Sequence, residues 1–145
     1  MNLFKKLFTK AKQNEYKPLT IFTLHNEIVE HFESLEKILL EYVKTIESNK
    51  VSTEMIDALE FDLQSIDYCY GEFLSLNENL ACSNNQVMYL QSERLKNEIV
   101  NLFNKSLNSF NSLQFKDDVT KNLKKEMRRI YSSRVVKNIR FSSVN

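Results

Sequence analysis

Glycine and proline are almost absent from this chain of 145 residues, which holds one of each, Gly71 and Pro18. β-Hairpins depend on glycine, Asn-Gly or Asp-Gly to reach positive backbone φ angles, and neither dipeptide occurs. A β-rich chain of this length would need several such turns, whereas a few long helices need few. The composition therefore predicts an all-α fold.

The sequence also lacks the features of membrane-spanning, secreted and disulfide-stabilised proteins. No apolar run reaches the ~18 residues that cross a bilayer, and the N-terminus has no apolar segment of a secretory signal. Cys69 and Cys82 are the two cysteines, and they form no Cys-x-x-Cys motif, so they predict no disulfide scaffold. We expect two reduced, buried cysteines in a cytoplasmic protein.

Residues that carry chemistry are equally scarce. One glycine cannot build a phosphate-binding loop. The two histidines, His25 and His31, are six residues apart, so their directions on a helix differ by about 120° and they cannot serve one site from the same face. Neither follows a glutamate by three residues, as a di-iron bundle requires. We therefore expect no enzyme, no catalytic residue, no metal and no cofactor, with His25 in the core and His31 paired with Glu27.

Four segments place apolar residues every three or four positions, which is the spacing of one helix face. Asn77 interrupts the apolar line of the second segment, and Gly71 in the same segment indicates a close helix contact or a kink. The predicted helices cover residues 19–48, 53–80, 83–113 and 116–137.

The third of these segments opens with a sequence typical of a helix start. Ser83 can cap the first turn while Gln86 reaches back to it, which predicts a capping box. Val87 and Leu90 begin the apolar line of this helix. Four helices with short connections predict an elongated antiparallel four-helix bundle, and the alternative is a helical hairpin that completes its core by dimerising.

The two ends of the chain differ from the bundle. Residues 2–12 predict a short amphipathic helix, so the expected organisation is an N-terminal helix and linker over 1–17, a helical bundle over 18–140 and a frayed tail over 141–145. The apolar strip of the N-terminal helix is a candidate contact with a partner, with a membrane or with the bundle itself, and consists of Leu3, Phe4, Leu7 and Phe8.

Charge is segregated along the chain although the net charge is only +1. Residues 1–17 carry +4 and residues 121–145 carry +7, while residues 18–120 carry −10. This asymmetry indicates separate partners or an electrostatic contact within the molecule. The candidate acidic face consists of Glu27, Glu30, Glu33 and Glu36. The candidate basic patch consists of Lys121, Lys124, Lys125, Arg128, Arg129, Arg134 and Lys137.

Each charged surface has a functional and a structural interpretation. An acidic surface suits a basic protein partner, although it also serves ordinary solubility. The basic patch could follow a phosphate backbone, or it could compensate helix dipoles and meet the acidic middle of the chain. The sequence favours a non-catalytic protein-interaction module of the immunity-protein, chaperone or adaptor type. A second copy of the chain is a further candidate partner, which would give a homodimer. The alternative is association with nucleic acid or an anionic membrane through the basic ends.

Overall fold

A computed structural model describes residues 20–138, and within that range the protein has helices and no strand. The four helices are α1 (Ile21–Glu47), α2 (Thr53–Ala81), α3 (Gln86–Asn111) and α4 (Asp118–Tyr131). Helix α4 continues into a π-helical segment over Ser132–Val136. The all-α prediction is confirmed. The predicted N-terminal helix and the predicted tail lie outside the described residues.

Each helix begins at a residue whose side chain accepts a hydrogen bond from a backbone N–H of the first turn. Thr20 and Thr23 form a capping box at the start of α1, with N···O distances of 3.1 and 2.9 Å. The predicted cap at Ser83 is wrong, because Asn85 caps α3 by accepting from the Met88 N–H. The Ser83 hydroxyl instead donates to the Leu80 carbonyl at the end of α2, at 2.7 Å.

Helices α1 and α2 pack antiparallel along their length. Three side-chain contacts run in opposite order on the two helices: Thr45 with Met55, His31 with Asp62, and Glu27 with Cys69. Helix α3 contacts α1 and α2, and α4 contacts α2 and α3. The four helices therefore form a bundle around one core.

The core is built from the predicted apolar spacing, and aromatic rings occupy its centre. The ring centroid of Phe103 on α3 lies 5.0 Å from that of Phe32 and 5.2 Å from that of Tyr70. All three side chains are fully or almost fully buried. On α1 the buried line passes through Leu24, while His25 beside it is only half-buried.

The predicted apolar line of α3 lies outside the core in the first turns of the helix. Val87 and Leu90 are 69% and 63% exposed. His25, in the second turn of α1, pairs with Glu98 in the fourth turn of α3. The first turns of α3 therefore extend past the beginning of α1 at Ile21, so the described part of α1 cannot cover these two side chains.

Buried polar groups join the helices at two levels of the bundle. The Tyr42 hydroxyl lies 2.8 Å from that of Thr120, which in turn donates to the Asp117 carboxylate at 2.7 Å. Asn77, which interrupts the apolar line of α2, donates to the buried Ser92 hydroxyl on α3 at 2.8 Å. Because each pair satisfies its hydrogen bonds only in one alignment, these contacts fix the helix register.

Gly71 lies at a close contact with another part of the chain, which is one of the two interpretations that the sequence suggested for it. A Cβ at this position would lie 2.9 Å from Nη2 of Arg134. Arg134 belongs to the π-helical segment, and its Nε donates to Asp67 at 2.7 Å. The missing side chain of Gly71 therefore lets the guanidinium lie flat against α2.

Removing the central ring should cost far more stability than removing an apolar side chain from the surface. We expect Phe103→Ala to lower the free energy of unfolding by about 3–5 kcal/mol, because it loses buried area and leaves a cavity. Leu40→Ala is the control, since Leu40 is 61% exposed, and should change it by less than about 0.5 kcal/mol. Urea unfolding followed by circular dichroism measures both, and equal effects would contradict this core.

Candidate functional site

The outer groove between α1 and α2 holds the feature that the core does not explain, a cavity of about 290 Å³. We call it the His31–Asp62 cavity. It lies on the solvent side of the two helices and combines charged, aromatic and aliphatic side chains. Its lining consists of Glu30, His31, Ser34, Ile38, Ala58, Phe61 and Asp62.

Helical spacing places the central pair at the edge of the core. His31 lies three residues after Ile28 and four before Leu35, and both of these side chains are buried. Asp62 has the same relation to Leu59 and Ile66 on α2. Each residue therefore borders the apolar face of its helix, and antiparallel packing brings the two borders together.

The pair is bonded through one oxygen of the carboxylate. Nδ1 of His31 lies 3.0 Å from Oδ1 of Asp62, and the two side chains are 16% and 4% exposed. An ionised carboxylate only accepts hydrogen bonds, so Nδ1 is the donor when Asp62 is charged. Oδ2 of Asp62 is buried and has no hydrogen-bond partner among residues 20–138. The Phe61 ring meets the imidazole edge-on, with centroids 5.7 Å apart.

A second concavity, of about 450 Å³, adjoins the first along α1 and shares Glu30, Ser34 and Ile38 with it. Its remaining lining residues are Glu33, Lys37 and Glu41. None of Glu30, Glu33 and Glu41 forms an ion pair within residues 20–138. We call these three exposed glutamates the acidic surface.

Helix α2 strengthens the negative charge of this side of the bundle. It carries seven acidic residues and no lysine or arginine. In the described part of the chain its ion pairs involve only Asp62, with His31, and Asp67, with Arg129 and Arg134. The other five acids of α2 are exposed. This helix therefore has none of the i,i+4 pairs between opposite charges that stabilise many exposed helices.

The four predicted acidic residues do not form one face. Successive steps of three residues turn about 300° around a helix, so the line of glutamates spirals across α1. Glu27 accepts from the Cys69 thiol at 3.6 Å, and Glu36 pairs with Lys105 of α3 at 3.3 Å. Only Glu30 and Glu33 belong to the acidic surface.

Both histidine predictions need correction. His31 pairs with Asp62 on α2, not with Glu27 on its own helix, because its ring lies at the α1–α2 border. His25 is not a core residue. It lies at the α1–α3 border, and its Nε2 is 2.9 Å from Oε2 of Glu98, whose side chain is 53% exposed. The two rings serve different helix pairs, as their predicted difference in direction requires.

The predicted basic patch is largely engaged within the bundle. Arg129 pairs with Glu126 and Asp67, at 2.6 and 3.3 Å, and Arg134 also pairs with Asp67. Arg128 donates to the Asn111 amide oxygen, and Lys124 to the Leu113 carbonyl. Three members of the patch are exposed and form no ion pair within residues 20–138, namely Lys121, Lys125 and Lys137. The contact strip Leu3, Phe4, Leu7 and Phe8 lies outside the described residues.

The cysteines differ from the prediction that both are buried. Cys69 is buried, but Cys82 at the end of α2 is exposed, and both are free thiols. Burial, together with the nearby Glu27 carboxylate, raises the pKa of the Cys69 thiol to about 12. Cys69 is therefore a neutral donor to Glu27 at physiological pH.

Two further classes of site can be checked against the described residues. Over residues 20–138, no three side chains of His, Cys, Asp or Glu are grouped so that they could hold a metal ion. No helix in that range is long and apolar enough to cross a bilayer.

Ser34 lines the His31–Asp62 cavity one turn after His31, but no hydrogen bond joins the two side chains in this part of the chain.

Comparison with known proteins adds no family to this description. A scan against protein-family models found no matching family, and searches of curated proteins and of solved structures found no match either. The case for function therefore depends on the geometry and charge of the bundle.

Thiol labelling should separate the two cysteines. At pH 8 a thiol with a pKa near 12 is almost entirely protonated, and Cys69 is also buried. We expect Ellman's reagent to modify one thiol per folded chain and two in urea. The variant Cys82→Ser should react only after unfolding, and rapid labelling of this variant in buffer would contradict the burial of Cys69.

The two histidine pairs should differ in coupling energy. In a double-mutant cycle with alanine at 31 and 62, we expect a coupling of about 1–3 kcal/mol, because the Asp62 side chain is buried and that of His31 is only 16% exposed. The matched cycle at 25 and 98 should give less than about 1 kcal/mol, since Glu98 is exposed and screened by water. Urea unfolding of the wild type and the six variants measures both, and a larger coupling at 25 and 98 would contradict the assignment.

Proposed function

We propose that this protein is a non-catalytic binding module that recognises a basic protein through the acidic surface of α1, beside the α1–α2 groove. The observation that carries the proposal is that Glu30, Glu33 and Glu41 border two adjoining concavities and form no ion pair within residues 20–138, even with Lys37, which lines the same surface. Carboxylates beside a concave surface suit the protruding basic side chains of a partner.

Electrostatics favour a partner of positive charge. Helix α2 holds seven acidic residues and no basic one, so like charges repel along its exposed side. A basic partner would relieve this repulsion and would be attracted before contact, which raises the association rate. Immunity proteins, secretion chaperones and adaptors include small helical bundles of this kind, and the analogy extends only to the fold.

The surroundings of the His31–Asp62 pair support binding in preference to catalysis. A serine nucleophile needs a hydrogen-bonded base and donors for the developing oxyanion. Ser34 has no hydrogen bond to His31, and backbone N–H groups in the middle of a helix are already bonded to carbonyls. Two free cysteines agree with our proposal of a reducing, cytoplasmic location.

The basic patch supports a second function less well. Four of its members bond to groups of the bundle itself, so binding to nucleic acid or an anionic membrane would have to rely on Lys121, Lys125 and Lys137 or break those contacts. Three phosphate contacts would give a modest dependence of affinity on salt.

Charge substitutions should identify the binding surface. We expect the immobilised full chain to retain a basic protein from an extract of the cells that encode it. The triple variant Glu30→Gln, Glu33→Gln, Glu41→Gln should bind that partner, once purified, at least about tenfold more weakly, because three attractive charges are lost. Calorimetry at two salt concentrations measures the affinity of the partner for the unchanged chain and for the triple variant.

The matched control neutralises the three lysines of the basic patch that form no ion pair in the described residues. The variant Lys121→Gln, Lys125→Gln, Lys137→Gln should bind the partner with unchanged or slightly higher affinity. If this variant loses the partner while the glutamate variant keeps it, the acidic surface is not the interface. A retained ligand that proves to be nucleic acid would support the basic patch as the binding surface.

A further inference from the structure

Asp62 has a binding capacity that the bundle does not use. It is almost fully buried, its Oδ1 bonds to His31, and its Oδ2 has no partner in the described part of the chain. A carboxylate can accept about four hydrogen bonds, and a buried polar atom without a partner is costly. The side chain also lines the His31–Asp62 cavity. A donor that reaches Oδ2 by way of the cavity would therefore remove a cost already present in the free protein.

The rest of the lining fits a long side chain with a flat cationic head. Ile38 and Ala58 offer aliphatic contact for a methylene stem. Phe61 supplies an aromatic ring, on which a guanidinium packs well. Glu30, exposed at the rim, supplies a second carboxylate. We propose that the His31–Asp62 cavity binds the guanidinium group of an arginine side chain on the partner protein, an inference that rests on the proposed function.

Other ligand classes fit the cavity less well. Anions would meet two carboxylates. A divalent cation would need more ligands than the described residues group together. The cavity volume of about 290 Å³ lies just below the ~300–1,000 Å³ of small-molecule pockets, which suits one side chain. Arginine suits it better than lysine, because a planar fork of donors matches carboxylates and its charge is less strongly hydrated.

The cavity has no cation of its own in the described bundle. Arg128 and Arg129 of α4 and Arg134 of the π-helical segment bond to Asn111, Glu126 and Asp67, away from the cavity. Lys37 lines the adjoining concavity but forms no ion pair within residues 20–138. His31 acts as a positioning residue, because its bond to Oδ1 fixes the carboxylate while Oδ2 stays unpaired.

The test uses the folded full chain and two small probes. In ¹H–¹⁵N NMR titrations, N-acetyl-arginine methylamide should shift amide signals of α1 around Ser34 and of α2 around Phe61, with a dissociation constant on the order of millimolar. The citrulline analogue, which has nearly the same shape but no charge, should bind at least about tenfold more weakly. Equal binding of the two probes, or shifts spread over all exposed acids, would overturn the proposal.

A substitution separates the cavity from general electrostatics. Asp62→Asn keeps the size of the side chain and can still accept from His31, but it removes the charge and places a donor where an acceptor is needed. It should weaken binding of the arginine probe at least about tenfold. The control Glu98→Gln removes the same charge beside His25 and should leave the affinity unchanged. Circular dichroism checks that both variants fold, and equal affinities would contradict the proposal.

Failure of this inference can be told apart from failure of the proposed function. If the protein partner is lost on neutralising the three glutamates but bound normally by Asp62→Asn, the acidic surface stands and the arginine cavity is wrong. If the arginine probe binds in the cavity but no basic protein depends on the acidic surface, the cavity stands and the partner class is wrong.

Discussion

Burial of apolar faces that repeat every three or four residues determines where the polar side chains of this bundle can lie. Phe32, Tyr70 and Phe103 meet at the centre and leave no room for charge. Polar groups that lie at the border of an apolar face then meet their counterparts on the next helix. His31 and Asp62 are such a border pair between α1 and α2, and His25 and Glu98 are another between α1 and α3.

Periodicity predicted the helices well because it depends on local spacing alone. The expected ranges 19–48 and 53–80 agree with α1 and α2 to within two residues at each end. Rotation of a helix about its axis is harder to predict, since it depends on what the neighbouring helices present. Leu24 is therefore buried where His25 was expected, and Val87 and Leu90 are exposed because the described part of α1 does not extend far enough to cover them.

Asp62 was not predicted as a member of the candidate site, and the reason is the same. Glu27 and Asp62 are both reasonable partners for His31, but only Glu27 is recognisable as a neighbour from sequence spacing. A signal for Asp62 was present. It lies three residues after Leu59 and four before Ile66, so an acid at the border of the core was predictable. Its partner was not, because that requires the alignment of two helices.

The charges of the molecule differ in what they imply. Exposed glutamates are screened by water and salt, so their mutual repulsion costs little and is compatible with simple solubility. Asp62 lacks that screening, since it is almost fully buried and keeps one oxygen unpaired. A hydrophobic residue at this position would avoid that cost and could pack against Ile66 or Leu59. The acidic surface alone is thus compatible with several functions. A buried carboxylate that lines an open cavity and has one oxygen without a hydrogen bond favours a cationic ligand.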